Sequence, residues 1–137
     1  MKKVLKFFLA AAVFAGVAVG DSTSFKVHVI GDSTVCNYKD SAYPQTGWGQ
    51  ILGSFFDGSR VQVVNYAIGG RSSKTFVQEG RLDEVKKNLQ KGDIMMVQFG
   101  HNDRYFGSKP RQVPFDSLRS WLQKYADVAK GAGVTLV

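Results

Sequence analysis

An α/β chain, with a parallel sheet covered by helices on both faces, is the fold class that the sequence predicts, and three observations predict it. Short runs rich in Val, Ile and Phe alternate along the chain with segments whose apolar residues recur every three or four positions. Gly, Asp and Asn bound the runs, as they bound buried strands. Strand, helix, strand, helix, strand, helix, strand is the order of crossover-connected parallel strands. With 137 residues, 44% of them hydrophobic and 12% aromatic, the chain has material for one globular core and not for two domains. That apolar content excludes a disordered tail.

The elements follow in order. Lys2, Lys3 and Lys6 precede an uncharged run over residues 7–19, and the small residues Ala18 and Gly20 flank Val19 just before Asp21. That is the layout of a secretory signal peptide over residues 1–20, leaving a mature chain of 21–137. A membrane anchor needs roughly 20 apolar residues, and this run has 13. The expected product is therefore secreted or periplasmic, with no stable membrane anchor after cleavage. Residues 25–30, 61–66 and 94–99 read as buried strands, and 133–137 as the start of a fourth. Trp48, Ile51, Leu52, Phe55 and Phe56 are spaced as a helix before Asp57-Gly58; Leu82, Val85 and Leu89 repeat the pattern before Lys91-Gly92. Phe115, Leu118, Leu122, Tyr125 and Ala129 mark the longest helix, opened after Pro114 and closed at Gly131. No internal repeat interrupts this order.

Charge narrows the function classes. The pI of 9.6 overstates the mature chain, because three of the 18 basic residues lie in the leader, leaving 15 against 11 acids, a surplus of four. With no basic run longer than Lys86-Lys87, nucleic acid is not an expected partner, whereas an anionic polymer suits the surplus. Cys36 is the one cysteine and can form no internal disulfide. It reads as a small buried side chain.

In an open parallel sheet the loops leaving the carboxyl ends of the strands gather on one edge, where ligands bind. Three polar clusters occupy such loops: Gly31-Asp32-Ser33, Gly69-Gly70-Arg71-Ser72 and Gly100-His101-Asn102-Asp103. Ser33, Gly70 and Asn102 are 37 and 32 residues apart, about one crossover each time. A serine hydroxyl is a nucleophile only when a base takes its proton, and the oxyanion it creates needs donors already in place. Ser33 with the Gly70 N–H and the Asn102 amide supplies a nucleophile and donors. Each also fits a plainer role: a helix cap for Ser33, a turn for Gly70, a side-chain-capped turn for Asn102.

The wording around these residues resembles a known family. "GDST", "GWGQ", "NYAIGGRSS", "EGRLDEV" and "QFGHND" stand in the order and spacing of the SGNH (GDSL-type) hydrolases, and look most like the rhamnogalacturonan acetylesterase branch, secreted enzymes that deacetylate pectin. The resemblance spans residues 27–137. It implies a three-layer α/β/α, flavodoxin-like fold with a five-stranded parallel sheet in the order 2-1-3-4-5. It also implies Ser33 as the nucleophile, the Ser33 and Gly70 N–H groups with the Asn102 side chain as the oxyanion hole, and no metal or other cofactor. Members complete the triad with an Asp and a His three residues apart near the carboxyl terminus, and no residue here matches either. The chain is thus expected to be the N-terminal part of an SGNH domain, incomplete at its C-terminus and inactive alone.

The remaining polar residues are weighed against that gap. His28 lies inside the first strand and reads as packed; His101 precedes Asn102, faces the other way on an extended segment, and reads as a structural hydrogen-bonding residue. Asp32 is expected to shape the nucleophile turn and Asp103 the "GHND" loop, since a triad acid must orient a histidine. Glu79, Asp83 and Glu84 suit a helix opening. Arg71, with Lys74 nearby, could grip the carboxylates of an acidic acetylated polysaccharide, and a structural ion pair suits it equally. "GGRSSKT" lacks the glycine that a phosphate-binding loop places before its lysine. Two alternatives to the pectin acetylesterase stand: a lipase or thioesterase of the same superfamily, and a non-catalytic product that keeps a sugar-facing cleft.

Overall fold

The computed structural model describes residues 24–137 apart from 105 and 108. The expected signal peptide lies outside the described residues. Four strands, β1 (Phe25–Gly31), β2 (Val61–Asn65), β3 (Ile94–Gln98) and β4 (Thr135–Leu136), form one sheet in the order β2-β1-β3-β4. All three pairings are parallel, with Val27 opposite both Val63 and Ile94. The resemblance implies five strands for the family; the described residues contain four.

This order decides where the chemistry can lie. β1 sits between β2 and β3, so the loop that carries Ser33 is flanked by the loop after β2 and the loop after β3. Parallel pairing brings all three loops to the carboxyl edge.

Pleating sends alternate side chains to opposite faces. On one face Ile30 and Met95 pack with Phe76, Leu82, Val85, Tyr125 and Ala129, contributed by α2 (Ser73–Gln78), α3 (Arg81–Lys86) and α4 (Phe115–Ala132). On the other, Val27 and Val29 pack with Val35, Cys36 and Ala67 beneath Trp48 and Leu52. Trp48 belongs to α1 (Trp48–Ile51), which continues as a 3-10 turn over Leu52–Phe55. Helical structure therefore covers both faces, more thinly on the second.

Four helical expectations need correction. The segment expected to be helical through Phe56 tightens after Ile51, with the Ser54 hydroxyl donating to the Ile51 carbonyl, and Phe55 is left 74% exposed. α2 has no counterpart in the periodicity reading, because its six residues show no apolar stripe; it is nucleated by a capping box between Ser72 and Thr75. α3 stops at Lys86, and Leu89 packs on the core from beyond its end. α4 runs through Gly131 and stops at Gly133, whose φ of 67° lets the chain turn out in the left-handed region.

Candidate active site

Ser33 stands at the centre of the carboxyl edge on a turn that Asp32 builds. The buried Asp32 carboxylate accepts the Thr34 N–H at 3.0 Å and the Thr34 hydroxyl at 2.9 Å. The Asp32 carbonyl accepts the N–H groups of Val35 and Cys36. From outside, Tyr38 donates its hydroxyl to the Ser33 carbonyl at 2.8 Å, and burial, followed by the nearby Cys36 thiol, pushes that phenol up. The Ser33 carbonyl is thus fixed, while its N–H and hydroxyl make no hydrogen bond with another described residue. Cys36 is buried and unpaired, in line with its expected role.

The second loop approaches Ser33 through its glycines. A Cβ built on Gly69 would lie 3.6 Å from Ser33 Cβ. Gly70 has a φ of 78°, a conformation that side chains disfavour. Its N–H, like that of Ser33, has no described partner. Two free N–H groups beside an uncommitted hydroxyl are what an oxyanion hole requires.

Asn102, buried after β3, links the three loops. Its Nδ2 donates to the Arg71 carbonyl at 3.0 Å and, more weakly, to Asp32 Oδ2 at 3.4 Å. Asp103 beside it is buried and accepts the Ser73 N–H at 3.1 Å and the Ser73 hydroxyl, which ties the third loop to the start of α2. Tyr125 of α4 donates to the Ser73 carbonyl at 2.8 Å, and burial, reinforced by the Asp103 charge, drives its phenol far above the ordinary range, so it remains a neutral donor. Asp32 and Asp103 hold loops, as expected.

The histidines are placed elsewhere. His28 is buried in β1, stacked on Tyr66, with Nε2 3.0 Å from Asp93 Oδ2 at the amino end of β3. His101 is exposed and makes no hydrogen bond with a described residue, which corrects its expected structural role: its neighbours Asn102 and Asp103 make the loop contacts. Neither ring bonds Ser33.

The basic residues resolve unequally. Arg71 Nε lies 3.1 Å from Glu79 Oε2, and its Nη1 donates to the Gly69 carbonyl at 3.0 Å, so the ion pair weighed against substrate binding is present. Glu79 caps the end of α2 instead of opening a helix. Hydrogen bonds from Arg81 and then Arg71 outweigh burial and hold its carboxyl below the usual range. Asp83 and Glu84 do occupy the first turn of α3. Lys74 donates to the Gln112 carbonyl at 2.7 Å and braces the loop before α4.

Sequence reasoning missed three contributors, two of which, Gln98 and Asn65, lie within the quoted motifs. Gln98 joins Trp48 Nε1, which donates to its Oε1, to the Thr34 hydroxyl at 3.0 Å. Asn65 donates to the Val35 carbonyl at 2.9 Å and accepts the Ala67 N–H. Tyr38 is the third. For Gln98 and Asn65 a polar residue at the last position of a strand was the available signal; Tyr38, on the loop after β1, had none.

A cleft of about 340 Å³ opens beside Gly70, lined by Arg71, Thr75, Glu79, Pro110 and Arg111. A larger apolar groove of about 670 Å³ lies along α4 and Leu136, away from Ser33.

Comparison with known proteins shows what the chain is similar to. The profile of the GDSL-like lipase/acylhydrolase family matches residues 27–137. A probable rhamnogalacturonan acetylesterase of Bacillus subtilis (strain 168) is 44% identical over 108 residues, which are 78% of this chain and 49% of that protein. A rhamnogalacturonan acetylesterase of the same organism, RhgT, is 39% identical over 79% of this chain and 45% of its own. The chain spans about half the length of these curated relatives. Among solved structures, the Bacillus subtilis protein YxiM superposes with a TM-score of 0.67 at 30% identity, covering 83% of this chain and 32% of that one. An acetylxylan esterase from Geobacillus stearothermophilus superposes with a TM-score of 0.63 over 83% of this chain and 58% of its own; at 16% identity it shares the fold.

Proposed function

The chain belongs to the GDSL-like lipase/acylhydrolase family, and on that premise we propose that it carries the nucleophile and oxyanion hole of a secreted serine esterase that removes acetyl groups from pectic polysaccharide. One observation carries the proposal: the Ser33 and Gly70 N–H groups and the Ser33 hydroxyl stand without described partners on one sheet edge, beside the buried Asn102 amide. In the reaction a base takes the Ser33 proton as Oγ attacks the acetyl carbonyl, and the two N–H groups receive the developing oxyanion. The 3.4 Å contact from Asn102 to Asp32 is the weaker of its two, so the amide hydrogen on that side is the one an oxyanion can take, while the 3.0 Å bond to the Arg71 carbonyl keeps the side chain in place. The substrate class is taken from the relatives' names and from the basic cleft beside Gly70.

This reading assigns no base within residues 24–137. His28 is committed to Asp93, and His101 does not engage the site. Its test is acetyl release from an aryl acetate by the 137-residue chain and by the same chain extended with the Asp-x-x-His portion of a Bacillus relative. The expected result is a negligible rate for the first and an enzyme-like rate for the second, abolished by Ser33→Ala. Dismantled triads retain about 10³ to 10⁴ over water while losing about 10⁶ in turnover. Enzyme-like turnover by the 137-residue chain that vanishes with His101→Ala would make His101 the base and overturn the assignment. The non-catalytic alternative wins if the extended chain is folded and inert.

A further inference from the structure

A line of hydrogen bonds runs across the carboxyl edge from α1 to the loop after β3, and its direction is fixed by the chemistry of its members. It starts at the Trp48 indole, whose N–H can only donate, and which donates to Gln98 Oε1 at the end of β3. That contact sets the Gln98 amide the one way round, so Nε2 faces Thr34 and donates to its hydroxyl oxygen at 3.0 Å. A hydroxyl has one hydrogen to give. Thr34, its oxygen already accepting from Gln98, gives that hydrogen to Asp32 Oδ1 at 2.9 Å, and the Thr34 N–H reaches the same oxygen at 3.0 Å. Ser33 lies between these two clamped residues.

The line ends by dividing the buried Asp32 carboxylate into two unequal halves. Oδ1 holds two donors at 2.9 and 3.0 Å, whereas Oδ2 meets Asn102 Nδ2 at 3.4 Å. A carboxylate that loses a hydrogen-bond donor is a stronger acceptor for the donors that remain. Were Thr34 to give its hydrogen elsewhere, Asp32 would therefore turn and draw the Asn102 amide in. The hydrogen that an oxyanion could take would then be held by Asp32. Thr34 and Gln98 are both exposed, so their bonds add little to folding. What they supply is orientation.

We propose that Gln98 is a positioning residue: acting through Thr34, it fixes the Asp32 carboxylate and so keeps the Asn102 amide hydrogen available to the oxyanion. The inference rests on the esterase reading for what Asn102 does, and its first test needs no turnover.

Three variants separate the donor from its charge. Gln98→Glu keeps an acceptor for Trp48 and replaces the donor with a carboxylate that takes the Thr34 hydrogen; Thr34→Val removes the hydroxyl and adds no charge; Thr34→Ser keeps the hydroxyl. In nuclear magnetic resonance spectra of the 137-residue chain, Gln98→Glu and Thr34→Val should shift the Asn102 side-chain amide signals in the same direction, and Thr34→Ser should leave them where the parent has them. In the chain extended with the Asp-x-x-His portion of a Bacillus relative, the same two changes should lower kcat on an aryl acetate by about tenfold or more, short of the ~10²–10³ lost with a whole oxyanion donor. KM should stay within about twofold of the parent, because the contact is made in the transition state and not in the bound substrate. Thr34→Ser should keep the parent kcat. Asn102 signals that do not respond, or that move in opposite directions in the two variants, would refute the proposal. So would a lowered urea midpoint with kcat unchanged, the mark of an ordinary structural bond. If the extended parent chain is inert while the Asn102 signals respond as stated, the esterase reading falls and the brace on Asn102 stands.

Discussion

At single residues, the amino end of the sheet is held by a charge that the sequence does not advertise. Asp93 is buried and accepts the Lys26 N–H at 2.9 Å, the His28 ring at 3.0 Å and the Gln90 N–H at 2.9 Å. Burial alone would raise its pKa; the three hydrogen bonds outweigh it and hold the carboxyl below the usual carboxylate range. A depressed folded pKa means that the unfolded chain binds the proton first as pH falls, so the stabilisation is present above the unfolded value of about 3.9 and is lost as pH drops through the folded one. Asp93→Asn should remove that acid-limb dependence and destabilise the chain by about 1–3 kcal/mol, since three hydrogen-bond partners lose a charged acceptor. Urea titrations of both proteins from neutral pH to acid check this, and parallel acid limbs would refute it. Gly70→Ala addresses the opposite edge. A methyl group at φ 78° should cost roughly 1–2 kcal/mol, read as a lower urea midpoint. Ser33, Gly70 and Asn102 were legible as a set because their chemistry is written in their side chains, or in the lack of one. The place of Arg111 was not legible, because nothing in "KPRQVP" reports that its guanidinium lies beside a glycine 41 positions earlier.

For whole elements, legibility followed burial. β1, β2 and β3 read plainly because strands packed on both faces must be runs of apolar residues. α4 read as a helix, but its inward stripe is displaced from the expected one. Tyr125 and Ala129 are buried, with Val128 packed beside them, whereas Phe115 is 90% exposed and Leu122 40% exposed. A list of apolar residues at helical spacing contains two overlapping stripes here, and only packing against the sheet selects one. α2 went unread because its stability is polar at the start: the Ser72 hydroxyl accepts the Thr75 N–H at 3.2 Å, and the Thr75 hydroxyl accepts the Ser72 N–H at 2.8 Å. Ser72→Ala should therefore cost about 1 kcal/mol, and up to about 2 because the cap is buried. Hydrogen exchange should show the loss first at the N–H groups of residues 73–76, ahead of α4. Uniform loss of protection across both helices would mean that α2 has no separate stability to lose.

Across the molecule, topology did what no single motif could. Placing β1 between β2 and β3 makes three loops, 37 and 32 residues apart at Ser33, Gly70 and Asn102, neighbours on one edge. Among the described residues the same sheet leaves the far side of β4 unpaired. Val134 packs against the core, while Leu136 is 41% and Val137 64% exposed. Leu136 also joins Phe115, Leu118, Leu122 and Ala126 in lining the apolar groove along α4. An unpaired edge beside an apolar groove invites pairing with another chain, and charged residues on the edge strand are the usual protection. β4 has none. The 137-residue chain should accordingly associate as its concentration rises, at neutral pH and moderate salt, when followed by sedimentation velocity. Leu136→Lys combined with Leu122→Glu should keep it monomeric. Because both side chains are substantially exposed, these changes should alter the unfolding free energy by only about 0.5 kcal/mol each; the variant thus separates association from folding. A parent chain that stays monomeric at high concentration, or a double variant that associates as readily, would show that this edge and groove are not where the molecule is exposed to aggregation.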